Sequence, residues 1–353
     1  MKREDWLKLT REAPIDPGLP ICDPHHHLWD YPDELPEDRV PVFARQTRHY
    51  LLKELLADTA AGHKIVKTVF MECNSMYRKS GPQELRWIGE TEFVQGIAAQ
   101  SESGLYGDTE VAAGIVGFVD LTLGDAAAPV LEAHAAASPN RFRGIRHIST
   151  WDAANNLTSR SRISNLLSDG NFRRGFSKLR DRALSFDAWL YHTQLGELVD
   201  LAQAFPDTQI ILNHIGGPLG IGTYVGRRDE VFQEWKKGIS ALSTCPNVAI
   251  KLGGIGMPIM GFGWHERPRP PNSIELADGM APFLSWCVEK FGSQRCMFES
   301  NFPVDKRSYS YGVLWNAFKR LSRGFSPTER AALFHDTAVR VYRLAWPMVG
   351  SGV

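Results

Sequence analysis

Eight short apolar runs recur along the 353-residue chain, separated by longer segments of helical periodicity, and this alternation limits the fold more than any other feature. The strand-like runs are Pro20–His27, Val66–Cys73, Val111–Asp120, Gly144–Ile148, Phe186–His192, Gln209–His214, Asn247–Gly253 and Cys296–Asn301. They are rich in Val, Ile and Phe and often end beside Gly or Pro, as buried strands do. Between them, Gln194–Phe205 and Val231–Leu242 place apolar residues at spacings of three and four. Ile274–Phe291 does the same with Leu276, Met280, Phe283 and Cys287, and Pro282 inside it predicts a kink or a late start. Strand–helix alternation predicts a parallel sheet, and eight units predict closure into a single (β/α)8 barrel of the TIM type. A doubly wound open sheet would bring a glycine-rich phosphate turn after its first strand, whereas this first strand ends in histidines. One domain therefore spans 1–353, with 1–19 as an N-terminal extension.

Barrel enzymes place their chemistry at the C-terminal ends of the strands. There the first strand carries Asp23-Pro24-His25-His26-His27. Side chains alternate along a strand, so His25 and His27 face one way and His26 the other. Two imidazoles converging on the barrel mouth are a geometry that suits a divalent metal. Asp23 is expected on the same face, one layer deeper. His192 ends the fifth strand, and His214 ends the sixth just before Gly216-Gly217-Pro218. A lone strand-end histidine is usually a satisfied hydrogen-bonding group, but two at the catalytic rim read as functional. The segment 253–272 after the seventh strand is rich in Gly and Pro and carries Met257, Met260, Phe262 and Trp264. It reads as a lid or specificity loop over the mouth.

The stretches DPHHHLW, WLYHTQL, LNHIGGP and ESNFPVD, in this order from Asp23 to Asp305, resemble the amidohydrolase superfamily. The resemblance is to the branch that contains 2-pyrone-4,6-dicarboxylate lactonase, 4-sulfomuconolactonase and L-fuconolactonase. It implies a metal-dependent-hydrolase-like barrel, with His25, His27 and His192 as ligands of one zinc or manganese ion. The family's strand-eight aspartate falls on Asn301, and an amide cannot shuttle a proton. The base then has to be sought in His214, Asp305 or Glu299, or else the route needs no metal. Arg146, Lys251, Glu72, Tyr191 and Trp264 are the candidate substrate contacts. Glu72 and Lys251 read equally well as members of a structural ion pair with each other or with Arg146. The reading is a hydrolase of a lactone or related cyclic ester of a small organic acid. The alternatives are a decarboxylase or amidase on the same fold, or a binding protein that has lost its base.

Lys plus Arg equals Asp plus Glu at 40 each, which gives no support for nucleic-acid binding or a polybasic membrane contact. No run approaches the roughly 20 apolar residues of a membrane span, and the first residues lack the apolar core of a signal peptide. The five cysteines form no CxxC pair and read as reduced, buried thiols of a cytoplasmic protein. Apolar residues near Trp264 or Trp315 could build a homodimer.

Overall fold

The computed structural model describes residues 3–153, 161 and 163–344. Eight parallel strands form one sheet in sequence order: β1 Pro20–His26, β2 Lys64–Met71, β3 Glu110–Gly117, β4 Phe142–Ile148, β5 Ser185–Trp189, β6 Ile210–Leu212, β7 Val248–Leu252 and β8 Cys296–Phe298. The sheet closes through the segment after β8. The Asn301 N–H donates to the His25 carbonyl at 2.9 Å, and the His27 N–H to the Phe302 carbonyl at 2.8 Å. One principal helix follows each strand: α1 Leu52–Thr59, α2 Ile88–Glu102, α3 Ala127–Ala137, α4 Gly170–Ser177, α5 Leu195–Ala204, α6 Arg228–Ser243, α7 Ser273–Phe291 and α8 Tyr311–Leu321. This is a single TIM barrel.

The helices form where amphipathic stripes meet end signals. In α7, Leu276, Met280, Phe283 and Cys287 are buried as their spacing predicts. Its N-terminus is fixed by Asn272, whose side chain accepts from the backbone N–H groups of Ile274 and Glu275, while the Glu275 carboxylate reaches back to the Asn272 N–H. The helix runs unbroken through Pro282.

The barrel is filled, not hollow. Cys22, Val69, Met71, Ala113, Val116, Ile211, Ala249 and Met297 pack inside it, joined by Ala338, Val341 and Tyr342 from the C-terminal helical segment, which plugs the lower end. The N-terminal segment lies along the outside: Trp6 donates to the Arg267 carbonyl at 3.0 Å, and Glu12 accepts from the Ser273 N–H at 2.7 Å. All five cysteines are free and buried. No helix among the described residues is long and apolar enough to cross a membrane. Trp264 and Trp315 are buried, 3% and 0% exposed.

Candidate active site

All strands but β4 end earlier than their apolar runs predict, and residues beyond the ends build the site. β6 stops at Leu212 and β8 at Phe298. His214 and Asn301 then take left-handed backbone angles, φ +52° and +56°. Non-glycine residues rarely hold that conformation unless their surroundings enforce it. In β1 a register shift lies between Asp23 and His26, which pair with Thr68 and Phe70. The bulge changes which face the following side chains take. Asp23 is thus not on the face of His25 and His27, contrary to simple alternation. Its carboxylate accepts from the Tyr311 hydroxyl of α8 at 2.9 Å and from the Ser300 N–H at 3.0 Å. His26 is also turned outward, with Nε2 2.9 Å from the Thr68 hydroxyl.

Glu299 organises the centre. Its Oε1 accepts from His214 twice, from the backbone N–H at 3.1 Å and from Nδ1 at 2.7 Å. Its Oε2 lies 2.7 Å from His25 Nδ1, but the approach is out of line for a hydrogen bond, so this oxygen has no donor. Burial raises the Glu299 carboxyl to about 8, opposed by Lys251 and by the His214 N–H. Burial holds the His25, His27 and His214 imidazoles well below their usual range, and the cations Lys251 and Arg146 add to the effect, so the rings are neutral.

His27 places Nδ1 2.8 Å from the Met71 carbonyl, which makes that nitrogen the proton carrier and Nε2 an acceptor. Nε2 faces Asn301 Oδ1 at 3.3 Å. The amide cannot turn to help, because its Nδ2 donates to Asp305 at 2.9 Å. Two acceptors thus face one another, and only a third group bearing a donor or a positive charge satisfies both. Asp305 also accepts from Tyr309 at 2.5 Å and from the Gly256 N–H at 2.9 Å. Burial raises its carboxyl to about 7 despite these donors.

Above this centre opens a cavity of about 810 Å³, lined by His27, Arg146, Trp189, Tyr191, His214 and Asn301, among others. That is the size of a small-molecule site. Of the residues read as substrate contacts, Arg146 and Tyr191 are in its wall. Arg146 is held by Glu72, its Nε donating to Oε1 at 2.8 Å, and its Nη1 lies 3.3 Å from His25 Nε2. Lys251 pairs with Asp187 at 2.8 Å, both fully buried, and not with Glu72. Lys251 and Glu72 therefore stand behind the wall of this cavity.

Three expectations need correction. His192 does not join the imidazole cluster. The chain leaves β5 at Trp189 and coils into a short turn, which puts His192 against Tyr224 and the Leu219 N–H, 3.7 Å from Glu234 of α6. Trp264 is packed against Phe262 and Tyr309 in the core, and Met257, Pro258 and Ile259 of the same loop supply the cavity wall. Asp305 is fully buried behind Asn301 and does not line the cavity. Residues missed at first include Asp187, Tyr309 and the cavity arginines 39, 45 and 307. Asp187 had a signal, an acid within the apolar run of β5. The arginines lie in loops, which carry no periodicity.

Among the described residues, His25, His214 and Glu299 bring ligand atoms within 4.8 Å of one another, and these are the residues that could hold a metal ion. Two imidazoles and a carboxylate suit zinc or manganese. The donor-free Glu299 Oε2 fits a cation as its missing partner. The trio differs from the His25, His27 and His192 set expected from the sequence.

The barrel agrees with the matches to known proteins. The amidohydrolase family profile matches residues 22–344, and the chain belongs to that family. It is 34% identical over 336 residues to the uncharacterised protein y4mH of Sinorhizobium fredii, covering 92% of this chain and 99% of that one. It is 25% identical over 265 residues to the L-fucono-1,5-lactonase of Burkholderia multivorans, covering 74% and 82% of the two chains. The crystal structure of an amidohydrolase from Burkholderia multivorans with bound zinc superposes with a TM-score of 0.68 at 23% identity, covering 92% of this chain and 99% of that one.

Proposed function

We propose that this amidohydrolase opens a lactone or related cyclic ester of a small organic acid. The observation that carries the reading is the pairing of Glu299 with His214 at the floor of the cavity. With Nδ1 committed to Glu299, Nε2 is the ring's remaining nitrogen. It can take the proton of a water that attacks the lactone carbonyl, and Glu299, ionised as pH rises past its raised pKa of about 8, balances the charge that the ring gains. The ring C–O bond then breaks, and the proton returns from His214 to the leaving alkoxide. Arg146, fixed by Glu72, offers its guanidinium to the developing oxyanion or to the new carboxylate. Were a divalent ion held by His25, His214 and Glu299, it would itself acidify the attacking water, and His214 would then serve as ligand in place of base. The relation to an L-fucono-1,5-lactonase supports a lactone over an amide.

The test is a lactone hydrolysis screen, read as acid release, on protein with measured metal content and again after chelation and reloading with zinc or manganese. His214→Ala should lower kcat by about 10³-fold with the fold intact. No turnover of any lactone by the metal-loaded protein would overturn the reading.

A further inference from the structure

Three guanidinium groups line the mouth of the cavity without an ion-pair partner among the described residues. Arg39 and Arg45 come from the segment after β1, and Arg307 from the turn after β8. Among the described residues Arg45 bonds through its Nε, to the Val40 carbonyl at 3.1 Å. The Nε of Arg307 is buried and has no hydrogen-bond partner among the described residues. Among the described residues one carboxylate, Asp38, shares this wall, so its balance is positive. Arg146, deeper in the same cavity, is already neutralised by Glu72.

The segment that carries the first two arginines is held in place. Val40 and Ala44 are buried, and Phe43 packs on Trp29 with ring centroids 5.2 Å apart. Arg48 ties the carbonyls of Pro32, Asp33 and Leu35. Arg307 is half-buried with an unpartnered Nε, which is costly unless an anion completes it, and Arg39 and Arg45 add exposed guanidiniums at the same rim.

We propose that Arg39, Arg45 and Arg307 form a second anion subsite, which holds a carboxylate that the substrate carries away from the scissile bond. The proposal rests on the hydrolase reading for its chemistry. Water adds to the lactone carbonyl, the ring C–O bond breaks, and the products are a hydroxyl and a new carboxylate at the floor. The substrate's own carboxylate stays at the mouth, so the product is a hydroxy-dicarboxylate and a plain dicarboxylate resembles it.

The experiment is calorimetric titration of the whole protein, with its metal content measured, using succinate, glutarate and adipate against butyrate. At least one dicarboxylate should bind about tenfold more tightly than butyrate. Arg45→Gln plus Arg307→Gln should abolish that preference while leaving butyrate binding in place. Arg39→Gln, at an exposed position, should reduce it by about threefold with no cost in folding. Equal binding of the dicarboxylates and butyrate, or a full preference in the double variant, would overturn the subsite. Turnover of a neutral lactone with no dicarboxylate preference removes the subsite and leaves the hydrolase. A dicarboxylate preference lost in the double variant, with no lactone opened, keeps the subsite and removes the hydrolase.

Discussion

Asp305 touches Asn301 and does not line the cavity, so in the proposed reaction it acts through the amide and not on substrate. As a carboxylate it accepts from Asn301 Nδ2 and so turns Oδ1 toward His27. Its acid form would donate to Oδ1, and the amide would turn over. Because burial places the Asp305 pKa at about 7, activity should rise as pH climbs through that value. Asp305→Asn resembles the acid form at every pH, so it should lower kcat and remove this limb of the kcat–pH profile. An unchanged limb would place its origin elsewhere. Asn301→Ala should lower turnover about tenfold or more with an unchanged melting temperature. The chemistry of this corner was only half legible in the sequence. Motif and spacing singled out His25, His27, His214, Asn301 and Asp305, but which of them face the cavity depends on a bulge and two left-handed residues.

At the scale of elements, strand ends and the glycines beside them set the site. Gly254, just after β7, has φ +67°, and a Cβ there would lie 2.2 Å from His214 Nδ1. Gly254→Ala should therefore push the ring off Glu299 and cost about 10²-fold in kcat, a loss larger than its effect on stability. A variant of wild-type activity would mean that His214 need not sit where it does. The same strand ends explain why the sequence reading ran too long. Hydrophobicity continues through Ile211-Leu212 toward His214, whereas the hydrogen-bond ladder stops where backbone angles turn left-handed. His192 was misplaced because the apolar run outlasts its strand and enters a short 3-10 turn. Its spacing continues β5, but the chain has already turned.

The whole barrel was legible because eight apolar runs and the stripes between them report burial directly. Its pH response was not, since that depends on which histidines are enclosed. His134 is buried, stacked on Phe142 and bonded to the Thr91 hydroxyl at 2.8 Å and the Phe118 carbonyl at 3.0 Å. Burial lowers its pKa to about 4. The unfolded chain binds that proton near 6.5, so stability is present above 6.5 and is lost as pH falls toward 4. This one ring accounts for about 3 kcal/mol across the window. Denaturant melts between pH 7 and 4 should show a slope shallower by up to one proton in His134→Phe than in the native chain. An equal slope would contradict the assignment.

The central claim is that Glu299 and His214 act together on a lactone. It is tested most directly by kcat for ring opening in Glu299→Gln, His214→Ala and the double variant. The account predicts that each single change costs about 10³-fold and that the double variant is little worse than either, because the two residues work as one unit. Losses that multiply, or a Glu299→Gln variant with native turnover, would contradict it.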